Sequence, residues 1–596
     1  MKVLLTAINA KYIHSNLAIY SLRKYAEKYT KNIELCEYTI NNYVEDILMD
    51  LYKRKPNVLA VSCYIWNIDI VKEVLSEIKK VLPNVIIWLG GPEVSYEVED
   101  FLQKYTYVDG VMIGEGEETF LELMEYYIEG KGRLVDIKGI AYRRKNEQKE
   151  ENEVKITLPR LPLSLSEIPF PYDDLDVFQN KIVYYESSRG CPFSCSYCLS
   201  SIDKGVRLRD IELVKKELQI FLDKKIPQVK FIDRTFNCNH KHAMEIWKYI
   251  LENDNGVTNF HFEISADLLQ EEELELLNQM RIGLVQLEIG VQSTNNATIG
   301  AINRTMNLEK LAYAVKRVKD GNNIHQHLDL IAGLPYEDYT SFRKSFNEVY
   351  ALEPNQLQLG FLKVLKGSKM HAEHEKHHIL YRGHAPYEVM VTKWLSYEDV
   401  LKLKQVEEMV EVYYNSAQFS HSLNFLMHHY ETPFDFYQEL GSYYEQENLQ
   451  GYQHARIARY NILLDFVKKT KPELEDALKE ILVYDLYLRE KMKSRPAFAK
   501  KTDKYKEQYY AFYQRIEQMN KENKTELDGK KNLLPAYKGY QARQMYRMAH
   551  IEHFHYDLTQ MEKNGEMVEK DYHILFDYKE RNPLSLEAKT QTILRI

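Results

Sequence analysis

Apolar residues in the first quarter of the chain fall into short unbroken runs. The stretches between them repeat apolar positions every third or fourth residue. The runs are 3–8, 33–38, 58–62, 85–89 and 110–113, and the segments 16–28, 43–53, 68–81 and 117–128 carry the helical spacing. Unbroken apolar runs read as strands covered on both faces, so the alternation predicts a doubly wound parallel sheet over residues 1–145. Ligands of such sheets bind beyond the carboxyl ends of the strands. Candidate binding residues therefore lie at 9–16, 62–67, 90–95 and 114–118. Residues 146–180, with Pro159, Pro162, Pro169 and Pro171, read as an extended, semi-rigid linker.

A second strand–helix series follows. Strands are predicted at 182–187, 229–233, 260–265, 284–290, 327–331 and 357–364, and helices at 211–222, 241–251, 271–279, 308–319 and 339–351. Six such units suit an open partial barrel over 181–384, again with functional residues at the carboxyl ends of strands. Beyond residue 385 the alternation stops. Residues 395–414, 422–430, 434–446, 454–470 and 474–491 carry amphipathic helical spacing, so 385–596 is expected to be mainly α. The fold class is α/β with a helical C-terminal domain.

Composition narrows the partners. Of 596 residues, 44% are hydrophobic and 28% charged, as in ordinary globular proteins. A net charge of −9 does not indicate a generally nucleic-acid-binding surface. No apolar run approaches the roughly 20 residues that span a bilayer. Residues 1–8 read as a buried strand and not as a signal peptide, so a cytoplasmic location is expected. Tyrosine is abundant, at 46 residues.

Three of the six cysteines, Cys191, Cys195 and Cys198, fall within eight residues as C-x3-C-x2-C, just after the first barrel strand. Three thiolates on one short loop suit an iron–sulfur cluster, leaving one iron open. Structural zinc usually takes four ligands in two spaced pairs, and no second pair lies nearby. A disulfide does not suit a large chain in a reducing compartment. Cys36 and Cys63 read as packing residues, whereas Cys238 is either packing or a further ligand or hydrogen donor. The lysine-rich segment 491–531 reads as a solvated helix, and the alternation around His553 and His555 as a surface strand.

At the cysteine loop the sequence resembles the radical SAM superfamily, whose hallmark C-x3-C-x-aromatic-C is matched by Cys191, Cys195, Tyr197 and Cys198. The resemblance implies a [4Fe–4S] cluster whose open iron chelates S-adenosylmethionine (SAM). It further implies reductive cleavage to a 5′-deoxyadenosyl radical and a reductant such as flavodoxin or ferredoxin. Five further positions resemble the family's SAM contacts together with Tyr197. Asp233 closes the second strand, with turn capping as the alternative. Glu288, Gln292 and Ser293 belong to the fourth-strand segment, where a salt bridge inside the barrel is the alternative for Glu288. Gly333 shapes the turn beside the adenine after the fifth strand.

Placed ahead of that motif, the N-terminal segment resembles a cobalamin-binding domain. Ser62 after the third strand and Gly90 and Gly91 after the fourth match that family's corrin contacts. The usual D-x-H-x-x-G loop is absent. His14 survives without its aspartate partner and glycine, either as the cobalt's lower ligand or as a loop residue at the corrin edge. The loop Gly114-Glu115-Gly116-Glu117 lacks the third glycine of a dinucleotide fingerprint. The helical region resembles an accessory domain of one cobalamin–radical SAM subgroup. The combined resemblance implies three cofactors (cluster, SAM and cobalamin) and methyl transfer to an unactivated carbon. Radical cyclisation, rearrangement or hydrogen abstraction is the enzymatic alternative, and a cobalamin- or redox-sensing regulator the non-enzymatic one.

Overall fold

The computed structural model describes residues 1–145, 152–522, 524, 526–527, 530–531 and 533–593. The chain divides into two compact units, Met1–Phe342 with Gly360–Tyr397, and Arg343–Leu359 with Glu398–Ile596.

The first unit opens with strands β1 Val3–Asn9, β2 Ile33–Thr39, β3 Val58–Ser62, β4 Ile86–Gly90 and β5 Gly110–Met112, all parallel, in the order 2-1-3-4-5. Helices α1 Leu17–Tyr25, α2 Val44–Arg54, α3 Ile68–Val81, α4 Val98–Lys104 and α5 Glu117–Met124 connect them. Alternate strand residues enter opposite cores. Leu4, Leu59, Ile87 and Val111 pack with Ile47, Val71 and Ile78, whereas Val3, Ala60, Trp88 and Met112 pack with Ile19, Phe120 and Leu123. This two-sided burial explains why the runs are unbroken. At seven residues, α4 is too short for periodicity to show.

The sheet does not end at residue 145. Strands β6 Ile140–Lys145 and β7 Asn152–Ile156 extend it antiparallel to seven strands, so the expected parallel sheet is mixed. The expected linker is corrected accordingly: residues 152–156 are an edge strand, with Val154 packed on the core. Residues 146–151 lie outside the described residues.

The second sheet contains β8 Val183–Tyr185, then, after the short ribbon of β9 Ser188–Arg189 and β10 Arg207–Leu208, β11 Gln228–Phe231, β12 Asn259–Ile264, β13 Val285–Gln292, β14 His325–Ala332 and β15 Gln356–Phe361. Its order is β8-β11-β12-β13-β14-β15, and all six expected strands are present. The helices between them are α6 Ile211–Asp223, α7 His240–Glu252, α8 Glu271–Asn278, α9 Asn296–Ala301 and α10 Leu308–Gly321. Asp210, Asn239 and Asn307 cap α6, α7 and α10 by accepting from free backbone N–H groups. One set of alternate strand residues, including Val229, Phe231, Phe260, Phe262, Leu287 and Leu328, is fully buried. The intervening set is polar and shares the opposite face, with Tyr184, Lys230, His261, Glu263, Glu288, His327 and Asp329 on consecutive strands.

The second unit is mainly helical, with helices Tyr397–Met409, Ser420–Met427, Pro433–Gln446, Arg456–Thr470, Glu475–Arg489 and Lys506–Lys521. A three-stranded antiparallel sheet, His550–Tyr556, Glu569–Arg581 and Ala588–Ile593, follows them. Tyr413, Tyr437, Tyr444, Tyr460, Tyr513 and Tyr537 are fully buried. The Tyr413 and Tyr444 hydroxyls pair at 2.8 Å and those of Tyr350 and Tyr437 at 3.3 Å. Part of the tyrosine excess is therefore core that satisfies its own hydroxyls. Among the described residues, no helix is long and apolar enough to cross a membrane.

A buried ionic network inside this unit makes its stability depend on pH. Burial works to lower the pKa of His421, but the 2.7 Å contact with Glu562 and the charges of Asp485 and Glu587 outweigh it and push the value up to about 9. Burial also pushes the Asp485 carboxyl up to about 6, against the pull of His421 and the bonds from Ser422. The folded state therefore keeps the His421 proton over a range in which the unfolded chain, with a value near 6.5, has released it. The stabilisation is full below about pH 6.5 and disappears as pH rises through 9; its upper bound is about 3 kcal/mol. Asp485 acts with the same sign between about pH 4 and 6. Denaturant midpoints should fall between pH 6.5 and 9, and His421→Gln should flatten that fall. An equally steep fall in the variant would locate the titration elsewhere.

Candidate functional site

The loop after β9 presents three unbridged thiols. Cys191 and Cys195 are buried and Cys198 half-buried. Backbone bonds fix the loop: Cys191 N donates to Asp203 O at 3.1 Å, Ser196 N to Ile302 O at 2.9 Å, and Met370 N to Ser196 O at 2.7 Å. Gly190 enters the turn at φ +92°, and a Cβ there would lie 2.3 Å from Gly205 O. Glycine is required for this close approach. Burial raises the Cys195 pKa, the Arg304 guanidinium lowers it, and the charges of Cys198 and Cys191 raise it again. The three sulfurs are thus close enough to feel one another, and a group that withdraws their protons suits them. The donor set fits an iron–sulfur cluster.

Arg304, just after α9, was not singled out by sequence. Its buried guanidinium donates to Cys195 Sγ at 3.9 Å, to the Tyr197 hydroxyl at 3.3 Å, and to the Gly290 carbonyl. One side chain therefore links the cysteine loop to β13. Thr235 Oγ1 lies 3.6 Å from Cys191 Sγ. Burial, then the charges of Cys191 and Asp233, pushes the Cys238 thiol up to about 11. It lies outside the cysteine loop, on the short turn after β11.

The expected SAM contacts divide into two groups. Tyr197, Gln292 and Gly333 lie beside the cysteine loop or at strand ends. Gln292 takes φ +72°, uncommon for a residue other than glycine, and its buried Oε1 has no hydrogen-bond partner among the described residues. Its amide folds over Gly290, where a Cβ would lie 2.3 Å from Nε2. Gly333 takes φ +87° against Val389. Asp233 and Ser293 lie behind this surface, each with no exposure. Asp233 accepts from Ser187 N at 3.0 Å and from the Ser187 and Ser188 hydroxyls at 2.6 Å each, and Ser293 donates to Glu337 at 2.7 Å. These partners make both of them supports of the adjoining turns. Glu288 is turned inside the barrel, 2.8 Å from Lys230 Nζ and 3.0 Å from His261 Nε2. This is the salt-bridge placement that the sequence left as its alternative.

At the N-terminal sheet, the order 2-1-3 makes the β1/β3 boundary its switch point, where α/β sheets bind ligands. Asn16 Nδ2 donates to Ser62 Oγ at 3.3 Å across that boundary, and buried Asn67 donates to Ile8 O and Ser62 O at 3.0 Å each. Tyr64 and Trp66 stack at 4.4 Å beside it, with Trp66 43% exposed, which leaves a flat aromatic surface. Gly90 and Gly91 end the neighbouring strand. Gly91 takes φ +115°, and a Cβ there would lie 2.4 Å from Cys63 O. The chain's own backbone therefore already requires this glycine. A planar edge with small and polar residues suits a bulky macrocycle.

The same edge is fastened to the barrel inside the first unit. His14 Nδ1 lies 2.6 Å from the Tyr184 hydroxyl, Ile182 N donates to Ile13 O at 2.6 Å, and Ser15 Oγ donates to Ile182 O at 2.9 Å. Tyr184 is the orienting partner that the His14 loop lacks in sequence. Burial, then Lys11 and Lys230, lowers the His14 pKa, so the ring is neutral. Glu117 accepts from Arg189 at 2.6 Å, and Glu115 pairs with Arg207. The acidic 114–117 loop thereby holds the strands that carry the cysteines.

Comparisons with known proteins match the domains that carry these residues. Residues 3–124 match the B12 binding domain, residues 185–349 the Radical SAM superfamily, and residues 375–576 a family described as "Protein of unknown function (DUF4080)". The chain is 28% identical over 308 residues to the cobalamin-dependent radical SAM methyltransferase TokK of Streptomyces tokunonensis, covering 48% of this chain and 44% of that one. It therefore spans less than half the length of that relative. The structure of the cobalamin-dependent S-adenosylmethionine radical enzyme OxsB with aqua-cobalamin bound superposes with a TM-score of 0.54 at 16% identity, over 81% of this chain and 80% of that one. The radical S-adenosylmethionine methyltransferase TsrM from Kitasatospora setae, with cobalamin and a [4Fe–4S] cluster bound, gives 0.53 at 17%, over 65% and 76%. At such identities the likeness establishes the fold.

Proposed function

We propose that this chain, in which a B12 binding domain precedes a radical SAM domain, is an enzyme that cleaves S-adenosylmethionine reductively and methylates an unactivated carbon with the help of cobalamin. The observation that carries the reading is the fastening of the N-terminal domain to the barrel at two places, by His14–Tyr184 between the β1/β3 switch point and β8, and by Glu117–Arg189 at β9, which leads into the cysteine loop. The residues that would hold the two cofactors are thereby fixed to one framework.

In this reading Cys191, Cys195 and Cys198 hold the [4Fe–4S] cluster, and Arg304 keeps its loop against β13. Tyr197, Gln292 and Gly333 line the SAM site, and Asp233 and Ser293 support it from behind. Ser62, Gly90, Gly91, His14 and the Tyr64–Trp66 stack frame the corrin. When bound, these groups supply a 5′-deoxyadenosyl radical and a methyl donor, a pairing suited to carbons that no nucleophilic route methylates. The chain's own residues orient the groups and exclude water. A soluble reductant such as flavodoxin or ferredoxin completes the system.

Anaerobic reconstitution with iron, sulfide and hydroxocobalamin, followed by assay with SAM and dithionite, tests the proposal. Bound corrin with both 5′-deoxyadenosine and S-adenosylhomocysteine is the expected result. A full cluster without corrin overturns the cobalamin half. Corrin and deoxyadenosine without S-adenosylhomocysteine, in the presence of a turned-over substrate, redirects the reading to cyclisation or rearrangement.

A further inference from the structure

We propose that the interior of the partial barrel holds a divalent metal ion, bound by Glu288, His327 and Asp329 with His261 as the fourth ligand. This site is separate from the cysteine loop and uses no sulfur. One ligand atom from each of Glu288, His327 and Asp329 lies within 4.8 Å of the others. Two adjacent parallel strands, β13 and β14, bring them together, since Glu288 pairs with His327 and Gly290 with Asp329 in register, and β12 on the other side of β13 carries His261. His327 and Asp329, two apart on β14, share a face.

The close contacts inside the cluster are those of fellow ligands. His261 Nε2 lies 3.0 Å from Glu288 Oε2, and His327 Nε2 lies 3.0 Å from Asp329 Oδ1. Neither approach has hydrogen-bond geometry. His261 Nε2, His327 Nε2 and Asp329 Oδ1 are buried without a hydrogen-bond partner among the described residues. Both histidines are only 7% exposed. Buried polar atoms left in this way are costly. Donors bound to one ion at about 2.0–2.2 Å sit about 3 Å apart when adjacent, with no need to point at each other.

Charge points to a dication. Glu263, Glu288 and Asp329 converge near Lys230, which bonds Glu288 at 2.8 Å and lies 3.7 Å from Glu263, and Glu263 also feels Arg234. A divalent ion held by the imidazoles and carboxylates would add positive charge where these carboxyl groups converge. An uncompensated buried charge is otherwise strongly unfavourable. Lys230 then serves as the outer partner that orients the Glu288 carboxylate. Two imidazoles and two carboxylates suit manganese, iron, cobalt or zinc and not calcium, which prefers oxygen.

Manganese(II) tests the site in the cluster-loaded protein, with the cluster kept oxidised and therefore silent in electron paramagnetic resonance. Titration should remove one equivalent per chain from the free-ion signal, and pulsed spectra of the bound ion should show nitrogen coupling from imidazole. His327→Ala and Asp329→Asn, checked for full iron content, should weaken binding at least about tenfold, and His261→Ala should reduce the nitrogen coupling. Wild-type protein that binds no stoichiometric manganese, or binds it without nitrogen coupling, overturns the proposal whatever the variants do. Unchanged affinity in the His261→Ala, His327→Ala double variant overturns it as well.

Discussion

Replacing Cys195 by alanine is expected to bring 5′-deoxyadenosine formation to assay background and to strip iron from the reconstituted protein, while the fold survives. The two halves of this result have separate causes. A cluster held by three sulfurs cannot spare one, because the loop carries no fourth cysteine: Cys238 lies on a separate short turn after β11. The loop itself does not depend on the sulfur. Its backbone is bonded to Asp203, Ile302 and Met370, and its glycine turn is fixed by contact with Gly205. Loss of one small buried side chain costs about 1 kcal/mol, well within the reserve of a chain this size. Iron per chain, the circular dichroism melt and deoxyadenosine yield should be compared for Cys195→Ala and Cys238→Ala, with the second keeping its iron. A Cys195→Ala protein that retains full iron and turnover would remove the cluster from this loop.

The sequence was legible where one physical constraint dominates. Strands buried on both faces leave unbroken apolar runs, so β1 to β5 were read within about a residue at most ends. Three cysteines on one loop leave few chemical alternatives. Elements governed by several weak constraints were missed. The short helices α4 and α9 bury too few residues to show a period, and β7 is an edge strand with a polar outer face. Arg304 gave no signal because its partners, Cys195 and Gly290, are distant in sequence, and an arginine after a short helix resembles any surface residue. The polar barrel face was open to detection. Histidine and acid alternate with apolar residues at His261 and Glu263 and again at His327 and Asp329, an unusual pattern in strands otherwise rich in Phe, Leu and Ile. Asp233 and Ser293 were selected because they end strands beside a ligand surface, yet a strand end has two sides. Only packing shows that both point to the supporting side.

Arg304→Ala is expected to shift the cluster's midpoint potential to more negative values and to slow SAM cleavage, with iron content only partly reduced. The guanidinium is buried and donates to Cys195 Sγ at 3.9 Å. A fixed positive charge so close favours the reduced cluster, which carries one more negative charge than the oxidised one, so its removal makes reduction harder. At an effective dielectric of about 20 and roughly 6 Å to the cluster centre, the interaction is about 3 kcal/mol. For a one-electron couple that corresponds to a shift of roughly 100 mV. Packing alone predicts something different. Alanine also leaves the Gly290 carbonyl and the Tyr197 hydroxyl without their donor, a stability loss of about 1–3 kcal/mol that lowers the melting temperature but leaves the potential in place. Arg304→Lys separates the two effects, because it keeps the charge and loses the planar fork that reaches three acceptors at once. A redox titration of the alanine and lysine variants therefore carries the decision. A negative shift in the first that is largely restored in the second assigns Arg304 to the cluster's electrostatics. Equal potentials in both, with equal losses of melting temperature, assign it to joining the cysteine loop and β13.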